Sequence, residues 1–163
     1  MIFYMNKKYE LLGVETSPEL IWLDFSVDNK EEAITKMATK LKKSGLVKDD
    51  FTQAVLNREK KFCTGLQFDN IGVAIPHTEA KYVNQPAVSI AILRNPVQFG
   101  DMGNPETEIS VQLIFMLAIK EPDKQLYFLQ GLINGLQDSK KLNNLMHQKN
   151  KEEMLSYLSE IFK

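Results

Sequence analysis

The sequence is poor in the side chains that build disulfides and metal sites. It has one cysteine, Cys63, and two histidines, His77 and His147, among 163 residues. A single thiol cannot form an internal disulfide, and neither histidine has further ligands at the spacings that zinc sites use. The sequence therefore predicts neither a disulfide scaffold nor a metal site, and nothing in it indicates a cofactor.

The chain also lacks an excess of charge of one sign and a long apolar run. Its 20 basic and 21 acidic residues give no electrostatic attraction for nucleic acid. The longest apolar candidate, 113–119, falls far short of the roughly 20 residues that cross a bilayer. At the N-terminus the apolar residues precede the basic ones, which is the reverse of a secretory signal. We therefore expect a cytoplasmic protein that binds no nucleic acid and does not insert into a membrane.

What the chain does have is an ordinary globular composition and an alternation of element types. Hydrophobic residues make up 44% of it, and its length suits one domain. Runs of β-branched and aromatic residues predict strands at 21–25, 72–75, 87–93 and 109–119. Apolar residues at helical spacing, bounded by capping residues, predict helices at about 28–45, 49–61, 122–137, 138–145 and 151–161. In the third helix the predicted buried stripe is Leu126, Leu129, Leu132, Ile133 and Leu136.

The predicted elements combine into an α/β fold. The near-continuous apolar run 109–119 indicates a central strand that is covered on both faces. Prolines and glycines predict a loop over 95–108, and residues 63–66 predict a turn followed by irregular chain. We expect a mixed β-sheet flanked by helices on both faces, in a single layered domain that spans residues 1–163. The first 18 residues are left open between an added edge strand and a loosely held arm.

His77 follows a predicted strand on a stiff piece of backbone, in the run Gly72-Val73-Ala74-Ile75-Pro76-His77-Thr78. Pro76 fixes its own φ and restricts Ile75 to extended backbone, so the strand ends at Ile75 and His77 lies just beyond it. Ends of strands are where α/β proteins place reactive groups. His77 is therefore the main candidate for the chemical centre.

Imidazole chemistry leaves several roles open for His77. Imidazole titrates near neutral pH and can act as a base, a metal ligand or a nucleophile. Metal ligation lacks partners, and a cysteine hydrolase that uses Cys63 and His77 lacks a recognised nucleophile motif. A nucleophilic histidine needs few helpers. A structural or ligand-binding module in which His77 only caps a strand remains an alternative.

Two further features are suited to an anionic group. Arg58 lies in the basic run Arg58-Glu59-Lys60-Lys61, and a guanidinium can grip a phosphate through two parallel hydrogen bonds. Thr64 and Gly65 offer a hydroxyl donor and a flexible turn. On spacing alone a solvated helix end is the better explanation of Arg58, because cations there meet the helix dipole favourably.

Together these runs resemble a known family. Arg58-Glu59-Lys60, then Phe62-Cys63-Thr64-Gly65-Leu66, then the run that contains His77, and also 113–125, are similar to the enzyme IIA domains of the fructose–mannitol–galactitol group of the sugar phosphotransferase system. The resemblance extends from about residue 20 to the end. It implies a mixed sheet between helices. It also implies that His77 accepts a phosphoryl group from phospho-HPr and passes it to a cysteine of enzyme IIB, with the membrane enzyme IIC downstream.

The resemblance also suggests roles for the neighbours of His77. Arg58 matches an arginine that lies beside the histidine in the family, and its implied role is to stabilise the phosphoryl group. Gln125 stands where mannitol and fructose types often carry a second active-site histidine, and Cys63 stands where proline is common. Galactitol types also lack the second histidine, so the resemblance favours a galactitol-like sugar. The expected supporting donors are the Thr64 hydroxyl, backbone N–H groups near Thr78 and the Gln125 amide.

Two further expectations concern the partners of the chain. Both protein partners should approach the same face, so we expect apolar residues around His77, with Phe68, Tyr82 and Val83 as candidates. An alternative function is a regulatory enzyme IIA-like domain whose phosphorylation state is read by another protein. Its sequence would look nearly the same.

Overall fold

A computed structural model of the protein describes residues 9–162. Its strands are β1 (Tyr9–Leu11), β2 (Val14–Thr16), β3 (Ile21–Phe25), β4 (Gly65–Phe68), β5 (Ile71–Ala74), β6 (Ala87–Gly100) and β7 (Glu108–Ala118). Its α-helices are α1 (Lys30–Lys43), α2 (Phe51–Lys61), α3 (Pro122–Leu136), α4 (Ser139–Met146) and α5 (Lys151–Ile161). Two short 3₁₀ turns lie at Pro18–Leu20 and Ala80–Tyr82.

Five of the strands form one mixed sheet in the order β3-β6-β7-β5-β4. β3 runs parallel to β6 and β5 runs parallel to β7, while β6–β7 and β4–β5 are antiparallel pairs. The apolar β7 lies in the middle of the sheet, as its composition predicts. Its side chains alternate between the two faces, so Leu113 and Phe115 belong to one core cluster while Ile114 and Met116 belong to the other.

Helices cover both faces of this sheet, which confirms the predicted fold class. α1 and α2 pack on the face that carries Ile114 and Met116, through residues that include Met37, Leu41, Phe51 and Val55. The opposite face packs against α3, α4 and α5, through residues that include Phe128, Leu132, Leu142, Leu145 and Leu155. No helix among residues 9–162 combines the length and the apolar character that a membrane span requires.

The predicted helix boundaries are well supported by capping groups. The Asn29 side chain accepts a hydrogen bond from the backbone N–H of Glu32, and the Glu32 carboxylate accepts one from the N–H of Asp28, at 2.8 and 2.7 Å. The start of α1 is therefore held by an N-cap from Asn29 and by a bond from Glu32 back to the residue before that cap. Gly45 follows that helix with a φ of 76°, which suits a glycine at a helix end. The predicted starts of α4 and α5 are confirmed by side-chain caps from Asp138 and Asn150.

Two stretches that were predicted to be irregular are strands. β6 continues through the predicted loop 95–108 as far as Gly100, and only 101–107 connect it to β7. The pairing with β7 shifts register between Ile92 and Val97, and an irregularity of this kind accommodates Pro96 without breaking a regular ladder. The second stretch is 65–68, which forms β4 at the edge of the sheet beside β5. That strand is short and contains neither valine nor isoleucine, so its composition gives little indication of it.

The described part of the N-terminal segment is a packed hairpin. β1 and β2 pair antiparallel across Leu12 and Gly13, whose φ values of 51° and 83° fit a two-residue hairpin turn. Tyr9, Leu11 and Val14 are buried against the sheet and helices. Residues 9–16 therefore form a separate two-stranded sheet, and residues 1–8 of the expected arm lie outside the described residues.

The buried stripe of α3 agrees with the predicted one except at its first residue, since Leu132 and Leu136 are buried and Leu129 and Ile133 pack against the core. Phe128, Leu132 and Leu136 are its buried residues, whereas Leu126 is 58% exposed. Two residues correspond to about 200° of helical rotation, so Leu126 and Phe128 point to nearly opposite sides. Leu126 therefore belongs to the surface of the molecule.

Candidate functional site

His77 lies just past the end of β5, where the chain is still tied to the central strand. The N–H of Leu117 in β7 donates to the carbonyl oxygen of Pro76 at 3.1 Å. Earlier in β5, Gly72 approaches β7 so closely that a Cβ there would collide with the carbonyl oxygen of Ser110. The strand that delivers His77 is thus held against β7, in addition to the backbone restriction that Pro76 imposes.

The hydrogen bond of His77 determines its tautomer. Its Nδ1 lies 2.7 Å from the carbonyl oxygen of Ile75. A carbonyl can only accept, so Nδ1 carries the proton and Nε2 of the neutral ring carries the lone pair. The residue is only 7% exposed, yet Nε2 has no hydrogen bond within 9–162 and is not one of the fully buried, unpartnered polar atoms. Nε2 therefore reaches the surface and can meet an external reactant.

The surroundings of His77 favour its neutral form. Burial lowers the pKa of His77 below its usual 6.5, and the positive charge of Arg58 lowers it further, while the hydrogen bond to Ile75 opposes the shift. The ring is therefore neutral at physiological pH. The effect of Arg58 also shows that α2 brings this arginine close to the histidine.

Arg58 is a half-buried side chain near the end of α2. Its guanidinium carbon lies 5.1 Å from the centroid of the Phe62 ring. Its Nε is buried without a hydrogen-bond partner among the described residues, whereas its terminal nitrogens are not fully buried. A buried donor without an acceptor costs about 1–3 kcal/mol, a cost that an anion bound to the guanidinium would offset. The cation is thus placed to meet negative charge beside His77.

A buried carboxylate, Glu59, lies behind the histidine. Its two oxygens accept hydrogen bonds from the backbone N–H and the hydroxyl of Thr64, at 2.8 and 2.9 Å. The Thr64 hydroxyl in turn accepts the N–H of Ile75 at 3.1 Å. Burial raises the pKa of Glu59, and the bonds from Thr64 oppose that shift. Since the only hydroxyl proton of Thr64 points to Glu59, this hydroxyl is not a free donor to a group on His77.

Sequence reasoning missed Glu59 because it lies inside a charged run that was interpreted as a solvated helix end. The helix stripe contained the information that was needed. Phe51, Val55 and Glu59 follow one another at intervals of four residues, and all three are buried on the same side of α2. A carboxylate that continues an apolar stripe is a candidate for a buried network.

The other two predicted donors lie at the same end of the sheet. Thr78 is buried next to His77, and its hydroxyl has no partner within the described chain but is not fully enclosed. Gln125 is half-buried in the first turns of α3, the helix that follows the His77 end of β7. No hydrogen bond joins Gln125 to His77 in the part of the chain that is described. The structure therefore gathers His77, Arg58 and Thr78 and leaves Gln125 on a neighbouring element.

The apolar residues predicted around His77 are largely core. Phe68 and Val83 are buried, in different core clusters, and Tyr82 is half-buried. They are therefore not an exposed ring. The large exposed apolar side chains include Phe62, Leu126 and Tyr127, at 60%, 58% and 65% exposure. Phe62 contacts Arg58, and the other two lie in the first turns of α3.

Two alternative chemistries find no support in the geometry. Cys63 is half-buried with its sulfur against Gly100, and no hydrogen bond among residues 9–162 joins it to His77. No cluster of three or more potential metal ligands occurs in the described chain.

Comparison with known proteins connects this geometry to a family. The family described as "Phosphoenolpyruvate-dependent sugar phosphotransferase system, EIIA 2" matches residues 16–161. The galactitol-specific EIIA component of Escherichia coli (strain K12) is 29% identical over 109 residues, which cover 67% of this chain and 72% of that protein. The NMR structure of the complex of enzyme IIA mannitol and phosphorylated enzyme IIB mannitol from Escherichia coli matches with a TM-score of 0.72 and 26% identity. That match covers 89% of this chain and 97% of the compared chain.

A further relative is a regulator. The transcriptional regulator ManR of Bacillus subtilis (strain 168) is 32% identical over 121 residues, which are 74% of this chain. The matched part is only 17% of that protein, so the chain corresponds to one segment of it.

Proposed function

Because the chain belongs to the enzyme IIA family of the phosphoenolpyruvate-dependent sugar phosphotransferase system, whose members are phosphoryl carriers, we propose that His77 is its phosphoryl-carrying residue. The observation that carries the proposal is the hydrogen bond from Nδ1 of His77 to the carbonyl of Ile75. It leaves the lone pair on Nε2 of a neutral, buried ring that lies beside a cation. This is the state that a nucleophilic histidine requires.

The first step of the proposed reaction takes a phosphoryl group from phospho-HPr. Nε2 of His77 attacks phosphorus in line, the Nε2–P bond forms as the P–N bond of the donor breaks, and Nδ1 keeps its proton throughout. Negative charge in the transition state is spread over three equatorial oxygens, so catalysis consists mainly of positioning and electrostatics. The terminal nitrogens of Arg58 and the hydroxyl of Thr78 are the nearby donors for those oxygens.

The second step passes the group to a cysteine of enzyme IIB. The thiolate of that cysteine, already without its proton, attacks phosphorus, so the S–P bond forms as the Nε2–P bond breaks and the electron pair of that bond returns to Nε2 as its lone pair. The mannitol enzyme IIA is known in complex with its phosphorylated enzyme IIB, which supports a partner of this kind. The exposed Phe62, Leu126 and Tyr127 suit a protein interface, because aromatic and aliphatic side chains dominate the binding energy of such surfaces. The proposal places the protein in the cytoplasm, with the membrane enzyme IIC downstream.

For the transported sugar we propose a galactitol-like polyol. The identity with galactitol-specific EIIA and the presence of Gln125, rather than a second histidine, support it. A neutral amide donor stabilises an oxyanion less than a charged imidazolium does. Arg58 would therefore carry more of the supporting role than its counterpart beside two histidines.

A regulatory function is the second candidate, and the match to ManR supports it. In this version His77 accepts the same phosphoryl group, and another protein reads its phosphorylation state. The chemistry at His77 is common to both candidates, and only the next recipient differs.

A phosphoryl relay rebuilt from purified proteins tests the function. Incubation with enzyme I, HPr and labelled phosphoenolpyruvate should give an acid-labile, base-stable label on the chain, and none on His77→Ala. Added galactitol enzyme IIB should then remove the label within the time of the assay. A label that stays on the chain with every enzyme IIB tested favours the regulatory candidate. Labelling of His77→Ala at the wild-type rate would contradict the proposal.

A further inference from the structure

We propose that Glu59 is a positioning residue for His77, and that it acts through Thr64 and the backbone of Ile75. In the function proposed above, on which this inference rests, the network holds the carbonyl that fixes the imidazole tautomer. Glu59 would touch neither the phosphoryl group nor the histidine. Its effect would reach Nε2 through three hydrogen bonds in series.

The burial of Glu59 is unusual for a carboxylate. The residue is 3% exposed and continues an apolar stripe of α2, where a leucine would satisfy packing. No ion pair within 4 Å neutralises it in the described chain, and the charges of Lys30 and Arg58 act on it only from a distance. Burying a carboxylate without an ion pair costs free energy of folding. A residue that carries this cost is expected to do something through its hydrogen bonds that an apolar residue could not do.

The direction of each hydrogen bond in the network is determined by chemistry. The Thr64 hydroxyl donates its single proton to an oxygen of Glu59, which is the only direction open while that carboxylate is ionised. The lone pairs of the same hydroxyl then face the N–H of Ile75, which can only donate. If the carboxylate were absent, the hydroxyl could rotate and the N–H of Ile75 would lose a fixed acceptor.

The residue that is held in this way carries the carbonyl that orients the histidine, because the N–H of Ile75 bonds to Thr64 while its C=O, in the following peptide group, faces Nδ1 of His77. The regular pairing of β4 with β5 ends at Gly65 and Ala74, so the Thr64 side chain takes over from the backbone ladder at Ile75. The next carbonyl, that of Pro76, is held by Leu117. The carbonyl of Ile75 lies between these two anchors and accepts the proton of Nδ1 of His77.

If the carbonyl of Ile75 became mobile, the proton of the ring would no longer be fixed on Nδ1. If the Nδ1 proton lost its acceptor, the ring could carry its proton on Nε2 instead, and the lone pair that attacks phosphorus would be gone. A rotation of the ring would also misalign Nε2, and a misplacement of about 1 Å can reduce a rate by about 100-fold. Glu59 would therefore control the reactive nitrogen without contacting it.

The test uses isosteric variants and a readout that a purely structural role would not move. Thr64→Val removes the hydroxyl at constant shape, Glu59→Gln replaces the carboxylate with an amide, and Thr64→Ser keeps the hydroxyl. Thr16→Val is the matched control, because Thr16 is also buried and its hydroxyl donates to the carbonyl of Val88 in β6 at 2.7 Å. Nitrogen-15 NMR of the His77 ring reports which nitrogen carries the proton, and phosphorylation by phospho-HPr at saturating HPr reports the rate.

We expect wild type to hold the proton on Nδ1, and Thr64→Val and Glu59→Gln to show a mixture of tautomers. Their rates at saturating HPr should fall by about 10-fold or more, with little change in the HPr concentration for half-maximal rate. Thr64→Ser should restore both readouts, and Thr16→Val should keep both. The double variant Glu59→Gln/Thr64→Val should be no slower than the slower of its two single variants, because both substitutions break the same series of hydrogen bonds.

The inference would be overturned if folded Thr64→Val kept the tautomer and the phosphorylation rate of wild type. It would also be overturned if the control Thr16→Val lost as much in both readouts as Thr64→Val does. If Glu59→Gln does not fold, the two Thr64 variants decide the question. If wild type is not phosphorylated by phospho-HPr at all, the proposed function fails, whereas the tautomer measured by NMR still decides the positioning role.

Discussion

The two histidines of this chain make the same hydrogen bond in different surroundings. Nδ1 of His77 lies 2.7 Å from the carbonyl of Ile75, and Nδ1 of His147 lies 2.7 Å from the carbonyl of Asn143. In its neutral form each ring therefore has its lone pair on Nε2. His147 is exposed at the end of α4, however, whereas His77 is buried at the end of a strand.

Under the proposed function, the tautomer alone does not distinguish the phosphoryl carrier, because both histidines have the same one. His77 has a cation, Arg58, close enough to lower its pKa, and its acceptor carbonyl follows a peptide N–H that is held by Thr64. The acceptor of His147 belongs to the last turns of a helix, with water available to the ring. What distinguishes the two sites is desolvation, a nearby cation and a rigid acceptor.

The largest expected effect is on the cation beside His77. We expect Arg58→Ala to slow phosphorylation of the chain by about 100-fold, because it removes a charged donor to the transition-state oxygens. Arg94→Ala is the matched control, since Arg94 is the only other arginine and its guanidinium bonds to Asp24 on the surface at 2.9 and 2.7 Å. The measurement is the single-turnover rate with phospho-HPr. If Arg58→Ala and Arg94→Ala were phosphorylated at equal rates, Arg58 would have no role in the transfer.

A smaller effect is expected on the titration of His77. In wild type its pKa should lie below 6.5, and Arg58→Ala should raise it, because the variant removes a positive charge and admits water. An NMR titration of the ring protons measures both values. A wild-type pKa at or above 6.5 would show that burial does not keep the ring neutral.

The same shift links pH to stability with a defined sign. His77 takes up its second ring proton at lower pH in the folded state than in the unfolded state. Its contribution to the free energy of unfolding is therefore complete above about pH 6.5 and is lost as the pH falls below that value. The raised pKa of Glu59 acts with the opposite sign above pH 4.5. Denaturant unfolding of wild type and His77→Gln across this range isolates the histidine, and the variant should lose less stability on acidification. Parallel curves would contradict the shift.

The smallest effect is expected at the other histidine. His147→Gln should change the free energy of unfolding by no more than about 0.5 kcal/mol, since the residue is exposed and its hydrogen bond is local. Its phosphorylation rate should equal that of wild type. A loss of labelling in this variant would remove the contrast between the two sites.

Much of this arrangement could be predicted from the sequence, because it depends on local rules. The Ile75-Pro76 pair predicted where β5 ends and where His77 lies, and the apolar run of β7 predicted a central strand. The resemblance to enzyme IIA domains indicated that Arg58 lies beside His77, which helix spacing alone did not.

The rest depends on contacts that local rules do not contain. The extension of β6 through Pro96 requires the register shift against β7, and β4 is a strand only because β5 pairs with it. The Thr64 hydroxyl was predicted to face a phosphoryl group, but a buried Glu59 takes its proton. That outcome depends on which side of α2 faces the sheet.

The most direct test of the central claim is to locate the phosphoryl group on the chain. The protein is phosphorylated by phospho-HPr, digested at alkaline pH and examined by mass spectrometry, and the intact phosphoprotein is examined by nitrogen-15 and phosphorus-31 NMR. We expect the group on the peptide that contains His77, bonded to Nε2, with the proton still on Nδ1. A phosphoryl group on His147, on Cys63 or on Nδ1 of His77 would contradict the account.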